Sequence, residues 1–260
     1  MAFIPPISRR EAPVFRDSSH RTTIGSAFVA ETDTYARVRP GYPSDVVKLL
    51  QGTAPPGLVV DIGAGTGKLT EQLHSWRPGQ VVALDVSREM IAELRSRLDV
   101  PAWQAAAEET ALASDAVAVA CCAQTWHWVD VERASAELDR VVKAEGCVLL
   151  AWNTIDVTEP WAHRFTRIAH SGDIQRDGFL PDVRDPWKLS DLVRVKWKQS
   201  LEARELFDLM ATRAYWLRAS DATREKMTAN LSWFLYEHQG WRPDSEIELP
   251  YRSDIFVYRR

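Results

Sequence analysis

Short, almost wholly apolar runs punctuate the chain at residues 58–62, 81–85, 116–122 and 146–152. Each is bounded by turn-forming or polar residues and is too short for a helix. Each therefore predicts a buried strand. Between them the apolar positions change to helical spacing. Leu69, Leu73 and Trp76 mark a helix over residues 68–76, Ser87 caps one over 87–98, and a third covers 130–142. A shorter strand falls near 100–104, and Ser44 has the position of an N-cap for a helix over 44–51. Strands alternating with helices of this length predict βαβ crossovers and an α/β fold, a mostly parallel sheet flanked by helices.

Beyond Trp152 the alternation stops. Residues 156–190 carry Pro160, Pro181, Pro186 and several Asp, and predict a mixed helix-and-loop insertion. Val193, Val195 and Trp197 alternate with charged residues, so 193–199 predicts a strand with one wet face. Residues 203–217 and 221–236 read as helices, and 247–258 as a closing strand. At the other end, residues 1–24 form an irregular arm without periodicity, and Pro40 and Pro43 stop any helix after Phe28 and Tyr35. The expected organisation is one domain over 25–260, with a substrate cap at about 156–190 and contributions from 203–236. No internal repeat or low-complexity segment is present.

Composition narrows the class. The 260 residues are 45% hydrophobic and 26% charged, which excludes a wholly disordered or collagen-like chain. No run approaches the roughly 18 apolar residues of a membrane span. The net charge is −4, with 15 basic and 19 acidic residues up to 150 and 17 of each beyond. That balance gives no basic footprint for nucleic acid and none for a membrane surface. Cys121, Cys122 and Cys147 show no metal-ligand spacing and read as small buried hydrophobes. The first residues lack a signal-peptide pattern, so a cytoplasmic location is expected. Monomer and homodimer stay equally open. Seven of the 11 Trp lie beyond residue 150; Trp161, Trp187, Trp216 and Trp233 are expected mostly in a core.

The chemistry concentrates where the first strand meets the first long helix. Asp61-Ile62-Gly63-Ala64-Gly65-Thr66-Gly67 is a glycine turn opening a helix, which lets backbone N–H groups approach a ligand. A nicotinamide fingerprint would be G-x-G-x-x-G, and a phosphate loop would carry Ser or Thr where Leu69 stands. The spacing here is G-x-G-x-G. Asp61 beside it disfavours a pyrophosphate and suits a ligand with a cationic amino group. Asp85 ends the second strand, where a carboxylate accepts ribose hydroxyls and rejects a 2′-phosphate.

With these residues in place, VVDIGAGTGKLT resembles the first motif of Rossmann-like S-adenosylmethionine-dependent methyltransferases, and ALDVS their second-strand acid. Tyr35 to Pro43 resembles the Y-x-x-x-R-P-x-Y-P segment of the trans-aconitate methyltransferase group, which is methyltransferase type 11-like. Ala106-Ala107-Glu108, the A-Q-x-x-H-W segment from Ala123 to Trp128, and the final ELPYRSDIFVYRR resemble that group as well. The resemblance implies a seven-stranded sheet with an antiparallel last strand and an inserted helical cap. It implies S-adenosylmethionine as cofactor, leaving S-adenosylhomocysteine. The cofactor residues it implies are Tyr35, Arg39, Asp61, Gly63, Ala64, Gly65, Gly67, Asp85, Val86, Ala107, Glu108, Ala123 and Gln124.

His127 is the one tempting general base, although a packed, hydrogen-bonded histidine is the simpler reading. Trp126, Trp128, Arg213, Tyr215 and Arg218 are the candidates for substrate binding, the arginines for an acidic acceptor; solvated helix faces are the simpler reading of the latter. The expected reaction is in-line methyl transfer to a small molecule, a carboxylate oxygen being what the resemblance suggests. The rival readings are a nicotinamide-dependent oxidoreductase and a non-catalytic cofactor-binding protein.

Overall fold

The computed structural model describes residues 37–171, 175–176 and 178–260. Phe28, Tyr35 and the expected arm over 1–24 lie outside them. The chain divides into two compact units. The glycine-turn unit comprises Gly41–Asn153, Phe179–Val195 and Ser253–Arg260; the second comprises Met1–Pro40, Thr154–Gly178 and Lys196–Arg252.

In chain order the elements begin with α1 (Asp45–Thr53), β1 (Val59–Ile62), α2 (Lys68–Trp76), β2 (Val81–Asp85) and α3 (Arg88–Arg97). Next come β3 (Ala102–Gln104), β4 (Val117–Ala123), a 3₁₀ turn (Trp126–Trp128), α4 (Val131–Val141) and β5 (Val142–Ile155). Then follow α5 (Pro160–Ile168), β6 (Lys188–Glu202), α6 (Glu205–Ala211), α7 (Ala214–Arg218), α8 (Asp221–Ser232), a π-helical turn (Trp233–His238) and β7 (Glu246–Arg259).

The seven strands form one sheet in the order β3-β2-β1-β4-β5-β7-β6. From β3 to β5 every neighbouring pair is parallel. The direction of β7 follows from its bonds. Asn153 meets Ser253 while the later Asp156 N–H donates to the earlier Pro250 O, so β7 runs against β5. Ser190 likewise meets Val257 while Ala203 meets Ser245, so β7 runs against β6. The sheet thus holds six parallel strands and the antiparallel last one, as the resemblance implies.

Burial explains why the central strands are so apolar. All of β1 and β4 is buried, because helices cover both faces. Val59 faces a cluster with Leu69, Leu73, Leu94 and Cys121, whereas Val60 and Ile62 face one with Ala120, Leu138 and Trp152. β5 carries a bulge. Val142 pairs with Val117, yet Cys147 pairs with Val119, so five steps on β5 span two on β4. Gly146 sits there because a Cβ would lie 2.5 Å from Val142 Cγ1 and 2.8 Å from Ala118 O. Past the bulge, Trp152 packs edge-on against Phe179 and Phe256, with ring centroids 5.3 and 5.8 Å away.

The second unit has its own core of Phe165, Leu206, Leu209, Met210, Leu231, Phe234 and Tyr251. Arg37 pairs with Glu205 and Asp208 of α6. Four local expectations change. Ser44 has helical backbone and no capping side-chain bond; the carbonyl of Pro43 takes the Val46 N–H instead. The helix expected over 203–217 breaks at Thr212 and Arg213 into α6 and α7. The helix over 221–236 ends as α at Ser232 and continues as the π turn. There Trp233 is 48% exposed, unlike the buried Trp187.

Candidate functional site

The site grows from the end of β1. Gly63 has φ +69°, and a Cβ there would lie 2.3 Å from the Thr125 side chain. Glycine is required at that point by both backbone and space. Gly65, φ +55°, differs: a Cβ would meet nothing within 4 Å. Its bare face opens on space that no described residue fills. Ala64 N–H donates to Leu84 O and Gly67 is the N-cap of α2, so the turn is pinned to β2 at one end and to a helix at the other. Thr125 closes it from β4, its hydroxyl within 3.0 Å of both Gly63 O and Ala123 O.

Asp85 and the turn are joined directly. Gly65 N–H donates to Asp85 Oδ2 at 2.9 Å, and Ser87 N–H to Oδ1 at 2.8 Å. Burial raises this carboxyl, and the backbone bonds only partly offset that. A carboxylate has about four lone-pair sites, so each oxygen keeps capacity for a hydroxyl. Beside it Val86 is 57% exposed, an apolar side chain left facing outward.

Asp61 is the contrast. It is 1% exposed on the Val59 face of β1. Thr70 Oγ1 donates to Oδ2 at 2.6 Å, and Oδ1 has no hydrogen-bond partner among the described residues. Burial pushes its carboxyl up to about 7, against the pull of the Thr70 hydroxyl and with help from the nearby Asp85. An orphaned buried oxygen, an open glycine face and a half-satisfied carboxylate together fit a ligand that brings a cation and a diol. S-adenosylmethionine carries both, an ammonium on its amino-acid end and a ribose diol.

At the carboxyl end of β4, Ala123 is buried and Gln124 has φ +55°. The Gln124 amide donates to Asn153 O at 2.7 Å, so its side chain is committed to β5. Ala107 is buried. Glu108 accepts the Asp130 N–H at 2.6 Å, a bond that ties it to the start of α4. His127 Nδ1 accepts the Trp152 indole N–H at 3.2 Å. An indole can only donate, so the neutral ring carries its proton on Nε2. Trp126 is buried with its N–H on Asp182 O, and Trp128 is half-buried, 5.1 Å from the His127 ring.

The remaining candidates belong to the second unit. Arg39 donates to Thr212 through Nε and Nη2, at 2.9 and 2.8 Å. Arg213 is 4% exposed, not on a solvated face. Tyr215 stacks on His170 with centroids 4.0 Å apart, and Arg218 Nε reaches Ala214 O. The structure thus joins Asp61, the glycines, Asp85, Ala123 and Gln124 in one unit and these four residues in the other. Sequence reasoning missed Thr70 and Thr125. The one signal for Thr70 was a hydroxyl on the apolar face of α2, next to Leu69 and Leu73.

A methyltransferase-domain family matches residues 60–150, the segment that contains the turn and both acids. An uncharacterized methyltransferase of Mycobacterium tuberculosis (strain H37Rv) is 34% identical over 233 residues, covering 89% of this chain and 94% of that one. An uncharacterized methyltransferase-like protein of Schizosaccharomyces pombe is 27% identical over 247 residues, covering 88% and 93%. Among solved structures, one assigned to a type II methyltransferase of Anaeromyxobacter dehalogenans shares the fold. Its TM-score is 0.59 at 22% identity, over 84% of this chain and 97% of that one. Turn, acids, strand order and relatives agree, and the chain belongs to the Rossmann-like S-adenosylmethionine-dependent methyltransferases.

Proposed function

We propose that this methyltransferase acts on a small molecule and that a carboxylate oxygen is the nucleophile. The observation that carries the reading is the state of His127. With Nδ1 accepting the Trp152 indole N–H, the neutral ring has no acceptor nitrogen left to take a proton. A hydroxyl or ammonium acceptor needs a base to take its proton. A carboxylate needs none.

When bound, the cofactor supplies a methyl group activated by its sulfonium. The chain's own work is placement. Asp85 holds the ribose, Asp61 the ammonium, and the exposed Val86 gives the adenine an apolar surface. Ala64, Ala107 and Ala123 shape the surrounding turns through backbone, and the side chains of Glu108 and Gln124 tie theirs to the start of α4 and to β5. Trp128 and His127 orient the acceptor, an alignment that lowers the entropic part of the barrier. In the second unit Arg213, Tyr215 and Arg218 are the candidates to bind an acidic acceptor, and Arg39 the candidate for the methionine carboxylate.

The test is a panel of small carboxylic acids, alcohols and amines incubated with S-adenosylmethionine, the methylated product being identified by mass spectrometry. Carboxylic acids yield methyl esters, and His127→Ala slows that transfer by less than about tenfold. A loss of several hundredfold with cofactor binding intact makes His127 a base and the acceptor an alcohol or amine.

A further inference from the structure

The second unit carries a cavity of about 300 Å³ whose residues have no part in the site described above. Its floor is a face of the sheet, with Lys198 of β6 and Glu246 and Glu248 of β7. Its walls are two tryptophans brought together from distant parts of the chain. Trp161 follows Pro160 in the first turn of α5. Trp241 follows Gly240, whose φ of +69° turns the chain beyond the π turn, and its N–H is fixed on Leu235 O at 3.0 Å. The two rings stand 81° apart, with centroids 5.2 Å from each other. Both line the cavity and both are only half-buried. Two nearly perpendicular rings make a corner, and a group seated in it meets π surface on two sides.

The charge around that corner is lopsided, because Glu159, Glu246 and Glu248 face one Lys198. That lysine is loosely engaged. Its Nζ stands 3.6 Å from Glu248 Oε2, beyond the about 2.7–2.9 Å of a tight charge-assisted bond, and both side chains are 58% exposed. Glu246 accepts the Ser200 hydroxyl at 3.1 Å. Glu159 is the N-cap of α5, yet its carboxylate makes no capping bond. Carboxylates on an open surface are ordinary, but an aromatic corner inside them changes their meaning. The face of an indole attracts cations through its quadrupole, and a charge wrapped in methyl groups fills such a corner best. We propose that this corner binds a small organic cation bearing a quaternary ammonium, its methyl groups against Trp161 and Trp241 and its charge balanced by Glu159 and Glu248. The volume lies at the lower end for ligand cavities, which suits a molecule of the size of choline. The proposal stands apart from the cofactor reading, since the two share no residue.

Choline is the probe, and its neutral carbon counterpart 3,3-dimethylbutan-1-ol the control. The full chain is labelled with ¹⁵N at its tryptophan indoles, and the two resonances are assigned through Trp161→Phe and Trp241→Phe. Choline is expected to move both on one saturation curve with a midpoint below about 10 mM, while the neutral alcohol leaves them in place. Glu159→Gln and Glu248→Gln are each expected to raise the midpoint about threefold, and Trp161→Leu about tenfold or more. The proposal is overturned by a lack of saturation up to about 50 mM, by an equal response to the neutral alcohol, or by an unaltered midpoint in both Gln variants. A response to inorganic phosphate in place of choline makes Lys198 the governing charge and overturns it as well. Should Trp161→Leu not fold, the two ligands and the Gln variants, which change exposed side chains, decide. Phosphatidylcholine vesicles present the same head group on a membrane, and the chain is expected not to sediment with them. Sedimentation with the vesicles overturns the assignment to a free small molecule.

Discussion

Along β4 every residue from Val117 to Ala123 is buried, whereas along β6 the residues from Asp191 to Gln199 alternate between half-buried and exposed. Both are strands of one sheet, but one is central and the other is at its edge. At the edge a charge is cheap: Arg194, Lys196 and Lys198 lie on the wetter face, each paired with a carboxylate, Asp254, Asp156 and Glu248 in turn. In the centre a charge is expensive, and Asp61 is the exception among the residues of β1 and β4. A residue that violates its surroundings so strongly marks the place where structure gives way to chemistry.

The comparison can be sharpened by substitution. The largest effect belongs to the central core. Trp152→Ala removes an indole packed against Phe179 and Phe256, and its stability to urea is expected to fall by about 3–5 kcal/mol. Next comes Asp61→Asn, with the opposite sign. The folded carboxyl is raised to about 7 from 3.8, so its favourable contribution is complete below pH 4 and lost as pH rises through 7. Asn removes that loss, and the free protein is expected to gain up to about 4 kcal/mol at pH 8 and almost nothing at pH 4. Equal gains at both pH values would show that Asp61 is ionised throughout.

Asp85→Ala acts on affinity instead. Removing the acceptor of both backbone bonds, which we propose also holds the ribose, is expected to weaken S-adenosylhomocysteine binding by about 1–3 kcal/mol. Unchanged affinity in the folded variant would remove Asp85 from the site. The smallest effect lies on the edge. Lys196 pairs with Asp156 at 2.8 Å, but its side chain is 69% exposed, so Lys196→Ala is expected to cost under about 1 kcal/mol. A large loss there would erase the distinction between edge and centre.

The same contrast decides what could be read before the structure. Val59 to Ile62 and Val117 to Ala123 are buried on both faces, so their apolar runs announce strands, and Val193, Val195 and Trp197 announce a half-wet one through alternation. The glycine turn and Asp85 were legible because their spacing carries the chemistry. The break at Thr212 was not, since Arg213 is drawn into the core by tertiary contacts that local spacing does not encode. The exposed Trp233 was missed because a π turn shifts the phase of the helix that precedes it. Thr70, Thr125 and the indole on His127 escaped for a simpler reason. Each meets its partner across the sheet layer, nine to 62 positions away in sequence, and only the fold brings them together.

The bulge around Gly146 gives the molecule a phase control. Past it, Val148, Leu150 and Trp152 share one face of β5, and Leu149 and Ala151 the other. Because side chains alternate strictly along a strand, one residue deleted inside the bulge would turn the whole downstream segment over. Asn153 would then stand on the face that Trp152 now occupies, and the His127 ring would face an amide able to donate or accept in place of an indole that can only donate. A length change some distance from the glycine turn would thereby rewrite which proton His127 carries, without altering a residue of that turn.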